Sequence, residues 1–164
     1  MKARCAGGNE LLRIGLAEFL GTFFLCFLGN GAVHEKVLTG GSDFQVCFTF
    51  GMGVTFGVYI SAGVSGGHIN PAVTVAMASL GRLGKTAGEA ATLVLVYIVS
   101  QVFGAFMSSF FVYIAYMPAE DYLAEKYNLT HGLSSLYTTW PTETWSEISA
   151  VSSVICIVHN ITGW

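Results

Sequence analysis

The sequence predicts an all-α membrane protein with three full transmembrane helices, one re-entrant half-helix and a marginal fourth span. Hydrophobic residues make up 53% of the 164 residues, and Asp, Glu, Lys and Arg make up only 10%. A soluble domain of ordinary composition carries about 25% charged residues. At about 20 apolar residues per span, a chain of this length holds four or five spans at most. Residues 1–164 are therefore predicted to form a single membrane domain.

The first apolar run predicts the first transmembrane helix. It extends from Ile14 to Val33 and follows a short tail, residues 1–13, which we expect to be cytoplasmic. The run contains Glu18, is long for the apolar part of a signal peptide, and lacks an A-x-A-like cleavage site. We therefore expect a retained helix rather than a cleaved leader.

A long uncharged stretch predicts the second helix and the half-helix. No residue between Asp43 and Arg82 is charged, which leaves 38 residues. One helix of that length would extend about 57 Å, almost twice the hydrocarbon thickness of about 30 Å. Three glycines and a proline between residues 63 and 71 interrupt the stretch, and these residue types punctuate regular structure. We expect a full helix at 44–62 and a half-length helix at 70–80.

A half-length helix entered through a glycine-rich turn is typical of a re-entrant segment. Irregular backbone is tolerated at membrane depth only where it is buried in protein or lines a watery cavity. The pattern therefore indicates a pore.

The rest of the chain divides into one further helix, a polar loop and a short apolar end. Residues 90–119 hold no charge and are long enough to span with tilt, which completes a three-helix unit at 14–117. Clustered charges predict an extracellular loop at 118–147. Residues 148–164 form a marginal fourth span, because only 17 residues with several polar side chains remain.

The basic residues predict the orientation in the membrane. A cytoplasmic N-terminus places five of the seven Lys and Arg side chains on the inner side, in agreement with the positive-inside rule. The same orientation places the sequon Asn128-Leu129-Thr130 outside, which makes Asn128 a candidate N-glycan acceptor. We expect an integral protein of the plasma membrane.

The residues that carry chemistry lie at the tip of the re-entrant turn, in the segment Ser65-Gly66-Gly67-His68-Ile69-Asn70-Pro71-Ala72-Val73. Asn at the N-cap and Pro at the first helical position are the expected start of a helix. The Asn70 oxygen would then accept from its own helix, and its NH2 group would donate. With the roughly half positive charge of a helix N-terminus, this tip would bind a neutral oxygen and repel cations. Outside such an uncharged setting, the Asn-Pro pair would indicate a simple cap.

Four further residues have candidate roles: Gly66, Gly67, His68 and, in the first predicted helix, Glu18. Gly66 and Gly67 lack a Cβ, so the chain can turn their carbonyls toward a channel. His68 is compatible with a proton relay, a metal ligand, or a packed or pore-lining side chain. No second ligand lies at metal-binding spacing, so a packed or pore-lining role is favoured, and no metal or cofactor is expected. Glu18 needs a partner in hydrocarbon, and the N–H groups of the irregular loop are suitable donors to it.

Composition and spacing exclude several other functions. A formal charge of −3 without a basic run excludes nucleic acid as a partner. A catalytic role for Glu18 would need a second acid or a nucleophile with its base, and neither is present, so the protein is not expected to be an enzyme. The four cysteines lie far apart and are interpreted as small hydrophobic residues.

Three stretches resemble the aquaporin, or major intrinsic protein, family: AEFLGT at 17–22, AGVSGGHINPAVT at 62–74 and SQVFGA at 100–105. The long block that ends in the Asn-Pro-Ala motif is the most specific of them. The resemblance implies a fold of two inverted repeats, each with three helices and one half-helix, assembled as a tetramer. This chain is similar to the first repeat.

The resemblance also implies roles for the residues of the motif and its loop. Asn70 would be the donor of the first Asn-Pro-Ala motif, which continues with Pro71 and Ala72. Glu18 would be the buried support of the loop. The residues that would offer carbonyl oxygens to the pore are Gly66, Gly67 and His68.

Two features resemble the aquaglyceroporin branch of the family. Phe50 falls at the position of its aromatic filter residue and would form an apolar wall for the carbon edge of a polyol. Thr139-Trp140-Pro141 falls where that branch commonly has Thr-Tyr-Pro.

The resemblance implies a passive channel for water and small neutral polyols such as glycerol, embedded in the lipid bilayer. The 164 residues hold no second Asn-Pro-Ala and no candidate filter arginine, so we expect a truncated form of a channel that is a homotetramer when complete. The alternative is a non-conducting truncated subunit that modulates full-length relatives.

Overall fold

The computed structural model describes residues 8–128 and Leu136, and all regular structure within them is helical. The all-helical prediction is therefore confirmed for this part of the chain. The predicted fourth span, most of the predicted loop and the Thr-Trp-Pro segment lie outside the described residues. The described part of the chain contains four α-helices, namely α1 (Gly8–Thr39), α2 (Asp43–Ser61), α3 (Pro71–Ser79) and α4 (Ala87–Lys126).

Three of these helices are long and apolar enough to cross a membrane, namely α2, α4 and the part of α1 from residue 9 onward. The fourth, α3, has nine residues, or about 14 Å of helix. That is about half of a hydrocarbon core. The predicted pattern of three spanning helices and one half-helix is therefore present.

Local chemistry determines the ends of α2 and α3. Ser42 caps α2 by accepting from the Gln45 N–H at 3.2 Å. Asn70 caps α3, and Pro71 occupies its first turn. The bounds of both helices agree with the prediction to within one or two residues, because the caps are encoded next to the elements that they begin.

α1 and α4 extend further than predicted. α1 begins before Ile14 and continues past Val33 to Thr39, and α4 continues through Pro118 to Lys126. Residues 118–126, which were expected to begin a loop, are therefore helical and continue α4. The 40 residues of α4 extend about 60 Å.

A buried contact between the extended ends explains why the helices continue. His34 on α1 is fully buried, and its Nε2 atom lies 3.2 Å from Oε1 of Glu120 on α4. Its Nδ1 atom lies 2.7 Å from the carbonyl oxygen of Asn30, and its ring stacks on Tyr116 with centroids 5.3 Å apart. Tertiary contacts of this kind outweigh the helix-breaking tendency of Pro118.

The helices pack with their backbones in contact. α1 lies against both α2 and α4, and α3 lies against α4. A Cβ atom added to Gly57 on α2 would lie 2.6 Å from the Gly21 carbonyl oxygen of α1, and one added to Gly104 on α4 would lie 2.5 Å from the Phe19 carbonyl oxygen. Small residues at such crossings allow close approach in lipid, which fixes α1 firmly between its two neighbours.

Replacing Glu120 by alanine is expected to destabilise the paired ends of α1 and α4. The fully buried His34 would lose the carboxylate that lies 3.2 Å from its Nε2 atom, so the unfolding temperature should fall. Thermal unfolding of the purified protein in detergent measures the change. Glu125→Ala, at an exposed site of the same helix, is the control, and an equal shift in both variants would contradict the role of the contact.

Candidate pore site

The candidate site is the loop that connects α2 to α3. Gly66 and Gly67 have φ angles of 94° and 70°, and Ile69 has a φ of 43°. Glycine adopts these left-handed values readily. A β-branched residue such as isoleucine does so only under strain, at a cost on the order of 1–3 kcal/mol. The surrounding structure must therefore hold Ile69 in place.

A socket of two glycines holds Ile69. The residue is 4% exposed and belongs to a buried cluster with Leu25, Cys26 and Ala105. A Cβ atom added to Gly21 would lie 2.6 Å from its Cγ2 atom, and one added to Gly57 would lie 3.2 Å from its Cδ1 atom. The same close crossing that joins α1 to α2 thus receives the strained residue of the loop.

The carboxylate of Glu18 is the centre of the hydrogen bonds that fix the loop. It is fully buried. Its Oε1 atom accepts from the His68 N–H at 3.0 Å and from the Ser65 hydroxyl at 2.5 Å. Its Oε2 atom accepts from the Ile69 N–H at 2.7 Å and from the Gln101 side-chain amide at 2.8 Å. Four donors from the loop and α4 therefore surround this carboxylate.

A second set of contacts ties the loop to α3 and α4. The hydroxyl oxygen of Thr74 on α3 accepts a hydrogen bond from the Gln101 side-chain amide at 3.1 Å. The same oxygen lies 3.2 Å from Nδ1 of His68. The Tyr97 hydroxyl donates to the Ser65 carbonyl oxygen at 2.5 Å, and its ring lies 4.6 Å from that of His68. His68 is therefore packed inside the protein. Its backbone N–H donates to Glu18, and its ring packs against the Tyr97 ring.

Asn70 lies at the tip of α3. Its Oδ1 atom accepts from the Ala72 N–H at 2.7 Å, and its carbonyl oxygen accepts from the N–H and hydroxyl of Thr74, both at 3.1 Å. Asn70 and Pro71 are half-buried, and Ala72 is exposed. The side-chain oxygen is thus used by the helix, so the donor of this side chain is its NH2 group.

The remaining candidate residues lie on a long helix or just beyond one. Phe50 is half-buried on α2 and packs against the cluster that contains Ile69. Asn128 is exposed and lies two residues beyond the end of α4. Among the described residues, no three His, Cys, Asp or Glu side chains are close enough together to hold a metal ion.

Sequence reasoning did not single out several residues of the site, among them Ile69, Thr74, Tyr97 and Gln101. One signal was present for Gln101. A polar side chain within a long uncharged helix requires a partner inside the protein, but that requirement does not say which partner. The role of Ile69 depends on a backbone angle that no composition pattern encodes.

Replacing Glu18 by glutamine is expected to loosen the loop. An amide of similar size brings donor hydrogens to positions where four donors converge, so at least one buried N–H would lose its acceptor. The expected loss of stability is about 2–4 kcal/mol. Hydrogen exchange at the His68 and Ile69 amides should accelerate. Glu35→Gln, at an exposed site of the same helix, is the control, and unchanged exchange at both amides would contradict the support role.

Comparison with known proteins finds curated relatives of similar sequence. The Glycerol uptake facilitator protein of Pseudomonas aeruginosa is 37% identical over 134 residues, which is 77% of this chain and 46% of that protein. Aquaglyceroporin-2 of Rhizophagus irregularis is 34% identical over 131 residues, which is 76% of this chain and 40% of that protein. The chain spans about half the length, or less, of these curated relatives.

A solved structure agrees with these relatives. The aquaglyceroporin of Plasmodium falciparum superposes with a TM-score of 0.59 at 35% identity, over 66% of this chain and 43% of that chain. A family profile described as Major intrinsic protein matches residues 7–160. Since the members of this family are channels rather than enzymes, the expectation that the protein is not an enzyme is confirmed. The chain belongs to the major intrinsic protein family.

Proposed function

We propose that the chain forms one half of a passive channel for water and small neutral polyols such as glycerol. The observation that carries the proposal is the capped tip of α3. A half-length helix begins there at Asn70, and a glycine turn tied to the buried carboxylate of Glu18 precedes it. Such a tip offers oriented polar groups inside an otherwise apolar protein. The similarity to glycerol uptake facilitators and aquaglyceroporins supports the same solutes.

In this proposal, the tip and the loop provide complementary hydrogen bonds. The Asn70 NH2 group donates to a passing oxygen, because its Oδ1 atom is bonded to the Ala72 N–H. The carbonyl oxygens of Gly66, Gly67 and His68 accept from the hydroxyl hydrogens of the solute. A molecule with both donors and acceptors, such as water or glycerol, can then exchange partners step by step.

Charge and shape would set the selectivity. The N-terminus of α3 carries roughly half a positive charge, which disfavours cations at the tip. The Phe50 ring would offer an apolar wall to the carbon edge of a polyol.

The proposal includes the surroundings of the channel. The chain lies in the plasma membrane with its N-terminus in the cytoplasm, and Asn128 is glycosylated outside. The complete channel, which we call the full channel, contains this chain and a second half-helix that faces α3, in one polypeptide or in two. Four such units form a homotetramer.

The full channel is expected to conduct glycerol as well as water. Vesicles that contain it should swell faster than empty vesicles both in a hypo-osmotic shift and in an inward glycerol gradient. Water flux without glycerol flux would contradict the glycerol specificity. Absence of both, together with an altered flux through a co-expressed full-length relative, would favour a modulating, non-conducting subunit.

Replacing Asn70 by aspartate is expected to reduce conduction without unfolding α3. Aspartate caps helices as well as asparagine does, so the helix start should persist. The substitution removes the NH2 donor and places a negative charge at the tip, so water and glycerol flux should fall and cation exclusion should weaken. Asn9→Asp, at an exposed site in α1, is the control. Unchanged flux and unchanged cation leak would indicate that Asn70 is only a cap.

A further inference from the structure

The ring of Phe50 lies in a slot on α1 that exists because residue 29 is glycine. A Cβ atom added to Gly29 would lie 2.1, 2.4 and 2.5 Å from the ring carbons Cε1, Cδ1 and Cζ of Phe50. Real Cβ atoms essentially never approach another heavy atom closer than 3.0 Å. Any side chain at position 29 is therefore incompatible with the observed position of the ring.

Backbone contacts elsewhere on the same interface hold α1 and α2 together. A Cβ atom added to Gly53 would lie 2.9 Å from the Leu25 carbonyl oxygen, and one added to Gly57 would lie 2.6 Å from that of Gly21. These contacts and the contact of Gly29 with Phe50 follow one antiparallel register, spaced about one turn apart. At Gly53 and Gly57 the atom nearest to an added Cβ is a backbone carbonyl oxygen, whereas at Gly29 the three nearest atoms all belong to a side chain. A methyl group at position 29 would therefore move the ring before it moved the helices.

A methyl group at position 29 would push the Phe50 ring away from α1. Gly29 is buried and lies on the α1 side of the ring, whereas Phe50 itself is only half-buried. To reach ordinary van der Waals separation from a methyl group, the ring must move away from α1 by roughly 1 Å or more. In the proposed channel, this displacement out of the slot on α1 carries the ring toward the path of the solute.

We infer that Gly29 is a positioning residue that sets the size of solute the channel admits, by determining how far the Phe50 ring withdraws into α1. The inference rests on the proposed pore-lining role of Phe50. The solutes concerned are neutral polyols, whose carbon edge would pass the ring. A larger residue at position 29 narrows the passage without touching the solute.

The test compares Gly29→Ala with wild type in vesicles that contain the full channel, using water, glycerol and a longer linear polyol. Overpacking of this kind is expected to lower glycerol flux about tenfold, with a larger loss for the longer polyol and a smaller one for water. Gly31→Ala is the matched control, because it lies two residues along the same helix and its Cβ would meet nothing within 4 Å. Equal losses in the two variants would overturn the inference.

A double variant separates this inference from the proposed function. Phe50→Leu removes the ring and should raise flux of the longer polyol; no change would reject the pore role of Phe50 itself. In the Phe50→Leu background, Gly29→Ala should alter glycerol flux by less than about twofold. The effects of two residues in contact are not additive, and the ring that the methyl group would displace is absent. A persistent loss in that background would overturn the role of Gly29 while leaving the role of Phe50 intact.

Folding is monitored by the amount of each variant in the membrane. Should Gly29→Ala alone fail to accumulate, the double variant should accumulate like Phe50→Leu, because the ring that clashes with the methyl group is gone. Recovery of the double variant in the membrane would support the contact between Gly29 and the Phe50 ring. Failure of both variants to accumulate would overturn the inference, because Gly29 would then be required for a contact other than Phe50.

Discussion

The rest of this structure depends on one constraint. A buried carboxylate and the polar backbone groups of an irregular loop must satisfy each other inside a membrane protein. A charged Glu18 without partners would be costly at membrane depth, and each unpaired peptide N–H group of the loop would cost several kcal/mol. The structure removes both costs with the same contacts, because Glu18 accepts from the N–H groups of His68 and Ile69. The loop and α1 are therefore stable together in a way that neither would be alone.

This pairing explains why the helices are so close. Hydrogen bonds of 2.7 and 3.0 Å between Glu18 and the loop require α1 to lie deep between α2 and α4. Backbone contact at Gly57 and Gly104 permits that approach, and the same crossing forms the socket for the strained Ile69. The small residues of this fold therefore allow close helix packing and also bring the loop within hydrogen-bond distance of the Glu18 carboxylate.

The ends of a helix could be predicted from the sequence where neighbouring residues determine them. They could not be predicted where contacts between distant residues determine them. The caps Ser42 and Asn70 determine α2 and α3, so their bounds could be predicted. The ends of α1 and α4 depend on His34 and Glu120, which meet only in the folded protein.

The candidate site divides in the same way. The cost of an isolated charge led from the sequence to Glu18 as an acceptor of loop N–H groups, and the observed hydrogen bonds have that form. The slot at Gly29 exists because a glycine on α1 leaves space for the Phe50 ring on α2. Such a relation has no spacing signal within the sequence, whereas the cap at Asn70 has one.

The short length of α3 determines what a complete channel must add. Nine residues cover about half of the hydrocarbon core, so the tip faces the middle of the membrane in the proposed channel. Its chemistry suits that depth: Pro71 has no N–H, and the N–H groups of Ala72 and Thr74 are bonded to Asn70. The positive end of the helix still favours a polar environment. A second copy held by the same positive-inside bias would present its tip from the same side. In the proposed channel, the partner half-helix would therefore enter from the opposite side, as inverted repeats provide.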